Sequence, residues 1–321
     1  MLLFILLVLA CVSIAYAIIC RFFNPRPLSL SNAHVMITGG SSGIGRAVAI
    51  EAVKQGAHVT IIARNKTKLE EAREELKKYT INSNQRVSSK SVDITKDYDL
   101  LQTAINQAEA ELGPVEVLVN CAGYAEASTF QDTTPEQFQN MLNLNFLGTV
   151  YTTKCVIKSM KEQLRGQIVM VSSMAGQIGL FGYTAYASSK FALNGLAQSL
   201  HMEMKPYNVM VSVVYPPDTD TPGLAAENIS KPEETKLISE AAGVYQPEQV
   251  AQTIIEGAKK RKFNISLGID GLMLTSVNAG MSPVTHLSDA VIQVLSMGIF
   301  RLIGLFYIFT FDSIVKKCMK K

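Results

Sequence analysis

Tyr186 and Lys190 stand four residues apart, as Tyr-x-x-x-Lys, within a stretch from about Thr184 to Lys205 that reads as a helix. Four residues make about one helical turn, so phenol and ammonium share a face. A fixed cation beside a phenol favours phenolate and draws its pKa down from about 10 toward working pH. Such a pair is a general acid able to protonate a carbonyl oxygen as hydride arrives. The spacing alone is common on exposed helix faces. Its place after Val171-Ser172-Ser173 adds weight, because a serine hydroxyl at a strand end can hold the substrate oxygen. Adjacent strand residues point to opposite faces, so one of Ser172 and Ser173 touches substrate.

A second chemistry-bearing stretch is Thr38-Gly39-Gly40-Ser41-Ser42-Gly43-Ile44-Gly45. A strand-like run precedes it and a helical pattern follows. Gly39, Gly43 and Gly45 let the backbone turn tightly and approach a pyrophosphate, which then sits on the helix N-terminus. Ser41, Ser42 and Ile44 complete the cofactor-facing loop. At the end of the next strand, where an acidic residue would bond ribose hydroxyls, the chain has Ala63-Arg64-Asn65, with Lys68 one turn on. A guanidinium there suits a 2′-phosphate and gains nothing from a bare hydroxyl, so NADPH/NADP+ is the expected cofactor.

The elements that must hold these residues alternate in type. His34–Thr38, His58–Ala63, Val87–Val92, Val115–Asn120, Gln167–Ser172 and Val209–Tyr215 read as strands. Ile44–Gln55, ended by Gly56, and Lys66–Tyr79 read as helices. Apolar, β-branched strands alternating with helices predict an α/β fold, a single doubly wound parallel sheet with helices on both faces. Ligands in such sheets bind beyond the carboxyl ends of the strands, where the residues above fall. Ile265–Val284, broken by glycines and Asp270, shows no clear period.

The 321 residues carry a net charge of only +3, and no basic stripe with interleaved aromatics appears, which argues against nucleic acid. Five cysteines form no paired framework and four histidines show no metal-ligand spacing. No metal is expected, and a reducing compartment is. The mean hydropathy of +0.18 is high for a soluble chain, and the excess sits at the two ends. Met1–Cys20 is uncharged and long enough to cross a hydrocarbon core, with Arg21 and Arg26 after it. Those flanks favour an uncleaved anchor with the following domain in the cytosol; Ala15-Tyr16-Ala17 leaves signal cleavage, hence a secreted or lumenal enzyme, as the competing reading. Ala290–Phe311 is apolar around Arg301 and precedes Lys316, Lys317, Lys320 and Lys321. It reads as a span, an interfacial segment or a core helix.

Taken together, TGGSSGIG, Asn120-Cys121-Ala122-Gly123, Ser172-Ser173 and Tyr186-x-x-x-Lys190 resemble the classical short-chain dehydrogenase/reductase family over about Ala33 to Gly268. The resemblance implies a Rossmann-type enzyme using a nicotinamide cofactor, with Tyr186 as acid/base and Lys190 on the nicotinamide ribose. It implies that Asn145 holds a proton-relay water, that Asp93 meets the adenine ring, and that Asn120 and Ala122 line the cofactor. Family spacing, thirteen residues before the tyrosine, selects Ser173. A threonine after the sixth strand is expected on the nicotinamide amide, but Pro216-Pro217-Asp218-Thr219-Asp220-Thr221 leaves Thr219 and Thr221 as alternatives.

That loop, Gly179–Gly182, Lys205–Val209 and the apolar ends are similar to membrane-bound members that reduce a long-chain amino ketone in sphingolipid synthesis, at the cytosolic face of the endoplasmic reticulum. The resemblance implies such a lipid substrate, a membrane partner and a homo-oligomer as common in the family. Asp218, Asp220 and Glu227 are candidates to meet the substrate ammonium. Residues 1–20 are then an anchor, 33–268 the catalytic domain and 269–321 a membrane-associated region with a basic tail. A reductase of steroid or retinoid carbonyls and a non-catalytic NADP(H)-binding scaffold are the competing readings; the scaffold predicts a broken site, whereas Asn145, Tyr186 and Lys190 are all present.

Overall fold

The β-branched runs of the sequence become a seven-stranded, wholly parallel sheet in a computed structural model that describes residues 19–21, 23–240 and 243–319. The expected N-terminal anchor, residues 1–20, lies outside the described residues apart from Ile19 and Cys20. The strands are β1 (His34–Thr38), β2 (His58–Ala63), β3 (Val87–Ser91), β4 (Val115–Asn120), β5 (Gly166–Val171), β6 (Val209–Tyr215) and β7 (Asn264–Ser266). Their order across the sheet is β3-β2-β1-β4-β5-β6-β7. The helices are α1 (Gly43–Lys54), α2 (Lys66–Lys77), α3 (Tyr98–Leu112), α4 (Pro135–Leu142), α5 (Gly148–Glu162), α6 (Thr184–Met204), α7 (Pro222–Ser230), α8 (Glu233–Glu240), α9 (Pro247–Lys259), α10 (Gly268–Val277) and α11 (Leu287–Cys318). A π-helical turn, Asn143–Leu147, joins α4 to α5.

Period-two alternation divides the strands between two cores. Val35, Ile37, Val117, Val119, Val169 and Val171 pack under α1, α2 and α9. Met36, Leu118, Ile168 and Met170 face the other way, onto α3, α5 and α6. Each fully buried isoleucine or valine contributes about 1.5–3 kcal/mol, so a charge at Ile37 would unseat the centre of the sheet. The polar run of β3 departs from the expected buried character because it is an edge strand, half-exposed, with Lys90 paired to Glu111 at 2.6 Å.

The order of connection reverses between β1 and β4, which pair directly, so their carboxyl ends open a crevice. The stretch whose glycines obscured any period holds two elements: β7, paired parallel to β6, and α10 directly after it. The last helix, α11, is long and apolar enough to cross a membrane, and none of its most apolar stretch is buried.

Candidate active site

The Gly-rich loop closes between β1 and α1 as the sequence expects. Gly39 has φ +70°, and a Cβ on it would lie 2.9 Å from the Ala122 backbone, so this loop presses directly on the end of β4. A Cβ on Gly45 would lie 2.4 Å from the Gly39 carbonyl oxygen, which lets α1 begin hard against the loop. The Thr38 hydroxyl accepts from the N–H groups of Cys121 and Ala122, both at 3.1 Å, and ties the two strand ends together. Ser42 is the N-cap of α1 and makes no side-chain cap bond, so the first N–H groups of the helix face the crevice. A cradle stripped of side chains at these points fits the diphosphate of a dinucleotide.

This crevice belongs to a cavity of about 530 Å³ lined by Gly39, Ser41, Ser42, Gly43, Ile44 and Gly45. The same lining holds Arg64, Asp93, Ala122, Thr219 and Thr221, together with Ser172, Ser173, Tyr186 and Lys190. Arg64 is exposed at the end of β2, where its charge faces the cavity. Asp93 accepts from the Thr95 N–H at 3.0 Å and hydroxyl at 2.7 Å. Burial works against its charge, yet these bonds and the cations Arg64 and Lys96 hold its carboxyl below the usual range. Both threonines line the cavity but differ in tether. The Thr219 hydroxyl donates to the Pro217 carbonyl at 2.9 Å, while Thr221 caps α7 and packs against Gly43.

Two expected cofactor residues, Asn120 and Lys68, are not among the residues that line the cavity. Asn120, the last residue of β4, turns its amide into the core and donates to the Thr153 hydroxyl at 3.1 Å, because the residue after it, not Asn120 itself, faces the crevice. Lys68 is exposed within the first turn of α2 and outside the cavity lining; its N–H is capped by Asn65 at 3.0 Å.

The serines part company. Buried Ser172 donates to the Lys190 carbonyl at 3.0 Å, pinning α6 to the end of β5. Ser173 is partly open, accepts from the Ala175 N–H at 3.2 Å, and lines the cavity with Tyr186. Asn145 sits buried in the π-turn, a distortion that often marks functional sites. Its Oδ1 accepts from the Tyr124 N–H at 3.0 Å, and its Nδ2 donates to the Tyr124 carbonyl at 3.0 Å and to Ser189 at 2.9 Å. Ser189 donates in turn to the Tyr186 carbonyl at 2.7 Å, so Asn145 is coupled to the backbone of the tyrosine. A Cβ on Gly123 would lie 2.9 Å from Asn145 Oδ1 and 3.3 Å from Lys190 Nζ. Only glycine lets the chain leaving β4 pass between them.

The electrostatics correct one expectation. Lys190 Nζ lies 5.8 Å from the Tyr186 ring centroid and donates to the Val171 carbonyl at 2.9 Å. Burial raises Tyr186 above its ordinary range; the neighbouring Ser173 hydroxyl opposes this, and the carboxylates of Glu227 and Asp218 add to it. The phenol therefore keeps its proton, where the bare Tyr-x-x-x-Lys spacing suggested a depressed pKa. Burial also draws Lys190 down from 10.5 to about 8.

Beside Tyr186 stands a network that the sequence reading did not assemble. The Tyr183 ring lies 5.4 Å from that of Tyr186, and its hydroxyl donates to Glu227. Buried Lys231 pairs with Glu227 at 2.8 Å and with Asp218 at 3.5 Å. Two carboxylates thus share one ammonium at the cavity wall. Asp220, the third acidic candidate, is exposed and outside the lining. The signals for Tyr183 and Lys231 were helical spacings, three residues before Tyr186 and four after Glu227.

A family model described as short chain dehydrogenase matches residues 33–232, and this decides the matter. The chain belongs to the short-chain dehydrogenase family. It is accordingly an oxidoreductase, of a family whose reductases use nicotinamide cofactors. Its relatives include a 3-dehydrosphinganine reductase of Danio rerio, 52% identical over 98% of this chain and 96% of that protein. A 3-ketodihydrosphingosine reductase of Bos taurus is 54% identical over 92% of this chain and 89% of the relative. Among solved structures, the crystal structure of gox2181 is 28% identical with a TM-score of 0.66, covering 72% of this chain and 90% of that one.

Proposed function

We propose that the enzyme reduces the ketone of 3-ketodihydrosphingosine to dihydrosphingosine with NADPH, in sphingolipid synthesis. The observation that carries this reading is the near full-length identity to reductases of that name, joined to a catalytic cavity in which Tyr186, Ser173 and Lys190 converge. The same names weigh against steroid or retinoid carbonyls as the substrate.

In this reading Tyr186, held protonated by burial, gives its proton to the ketone oxygen, and Ser173 bonds the same oxygen. A bound nicotinamide supplies the hydride. Lys190 sits where it can hold the ribose and keep positive charge near the developing phenolate. Asn145 positions Tyr186 through Ser189. Arg64 supports NADPH over NADH, as no acidic side chain stands at the end of β2. Because the network at Asp218, Glu227 and Lys231 carries one negative charge in excess, it suits the ammonium beside the substrate carbonyl.

The apolar α11 supports membrane attachment through residues 269–321, and we place the catalytic domain, residues 33–268, on the cytosolic face of the endoplasmic reticulum. The deciding experiment follows NADPH oxidation by detergent-solubilised enzyme with 3-ketodihydrosphingosine, wild type beside Tyr186→Phe. Loss of one hydroxyl is expected to lower kcat by about 10³-fold while cofactor still binds. Full turnover by the variant would sink Tyr186 as the proton donor.

A further inference from the structure

The cavity that holds Tyr186 does not end within the sheet. Its far wall is built by Gly304, Tyr307 and Phe311 of α11, with Ile238 of α8 and Met273 and Leu274 of α10. These α11 residues recur at helical spacing, so one stripe of the helix faces the catalytic domain. The other side presents Val294, Leu295, Leu302, Phe306 and Phe309 to the outside, with Phe306 71% and Phe309 72% exposed. One helix therefore has an apolar outer face and an inner face that closes the active site.

The outer face asks for hydrocarbon, and the lysines at the end of the helix agree. Lys316 and Lys317 lie in the last turn, where they match anionic headgroups. At about 1.5 Å per residue its 32 residues reach about 48 Å, beyond the ~30 Å of a hydrocarbon core. Packing along α8 and α10 suits a helix lying in the membrane interface, inner stripe on the domain and outer face in lipid. On the inner stripe Gly304 leaves a gap: a Cβ there meets nothing within 4 Å.

Resting on the reading of a long-chain ketone as substrate, we propose that α11 is the wall of an alkyl-chain channel opening toward the bilayer. The lipid's reactive head passes to Tyr186 while its tail lies against Gly304, Tyr307 and Phe311. Keeping each methylene out of water is favourable, so a continuous apolar path spares the tail any aqueous crossing.

The test compares a long-chain amino ketone in vesicles with a short, water-soluble amino ketone, both reduced with NADPH by the full chain and by Gly304→Trp. The indole fills the gap, and the long-to-short ratio of kcat/KM is expected to fall at least about tenfold, a loss equal to roughly two methylenes of contact. An unchanged ratio overturns the channel and leaves the substrate reading standing. Failure of the wild type to reduce either ketone overturns the substrate reading, and the channel with it. A second measurement needs no variant: a long-chain amino ketone with a photoreactive group on its tail should cross-link the peptide bearing Tyr307 and Phe311. Cross-linking confined to other elements overturns the proposal.

Discussion

The floor of the cavity and its outer wall are built on opposite principles. Around Tyr186 each polar group is tethered: Ser172 to the Lys190 carbonyl, Lys190 to the Val171 carbonyl, Asn145 to Tyr124 and Ser189. Glycines there mark places with no spare room, as at Gly123 and Gly45. The wall at α11 is the reverse, apolar, with open space where a Cβ on Gly304 would point. The contrast teaches that proton transfer demands fixed distances, whereas holding an alkyl tail demands only apolar area of about the right width.

The sharpest way to break this contrast is Gly123→Ala. Its methyl would push against Asn145 and Lys190, and kcat should drop by about 10²-fold, the scale of an ångström-level misplacement. Steady-state kinetics on long and short ketones should show equal losses, unlike Gly304→Trp. A loss confined to the long ketone would mean that the floor also reads the tail.

A milder probe uses pH. Lys190, with its pKa drawn from 10.5 to about 8, is charged below that value and neutral above it. The rate of ketone reduction should therefore hold near neutrality and fall about tenfold per unit above about pH 8. Between about 8 and 10.5 the unfolded chain keeps a proton that the folded one has shed, so this group's contribution to stability rises with pH there. A rate profile beside thermal melts across that window separates the two: rate falls through a loss of charge, not through unfolding. A flat profile to pH 10 would remove Lys190 from the rate-controlling charge.

The smallest effect is expected at the exposed rim. Arg64→Glu should raise the KM for NADPH by about tenfold, the scale of one charge-assisted contact, and favour NADH, with kcat little altered. Unaltered preference between the two cofactors would place 2′-phosphate recognition elsewhere.

Much of this was legible in local pattern. Six strands and the helices bearing the Gly-rich loop and Tyr186 fall within two residues of where periodicity put them, because they depend on apolar alternation and glycine near in sequence. The reach of Gly39, Gly45, Tyr186 and Lys190 into one crevice follows from the rule that parallel sheets bind ligands at strand ends. Other properties waited for contacts between distant segments. Strand-end position alone leaves Ser172 and Ser173 open and spacing to Tyr186 favours Ser173; the fold gives the reason, as α6 folds back and takes the hydroxyl of Ser172. Asn120 matches the motif, yet the pleat of β4 turns it toward Thr153. The proton affinity of Tyr186 reflects burial and the carboxylates of Glu227 and Asp218, brought close by α7 and the loop before it.

The sequence by itself determined the chemistry, because a glycine turn and a tyrosine one helical turn from a lysine act over a few residues. Tertiary structure alone decided what ties down Ser172, how firmly Tyr186 keeps its proton, and that α11 walls the active site. Desolvation and long-range packing set those outcomes, and neither is a property of any short stretch of chain.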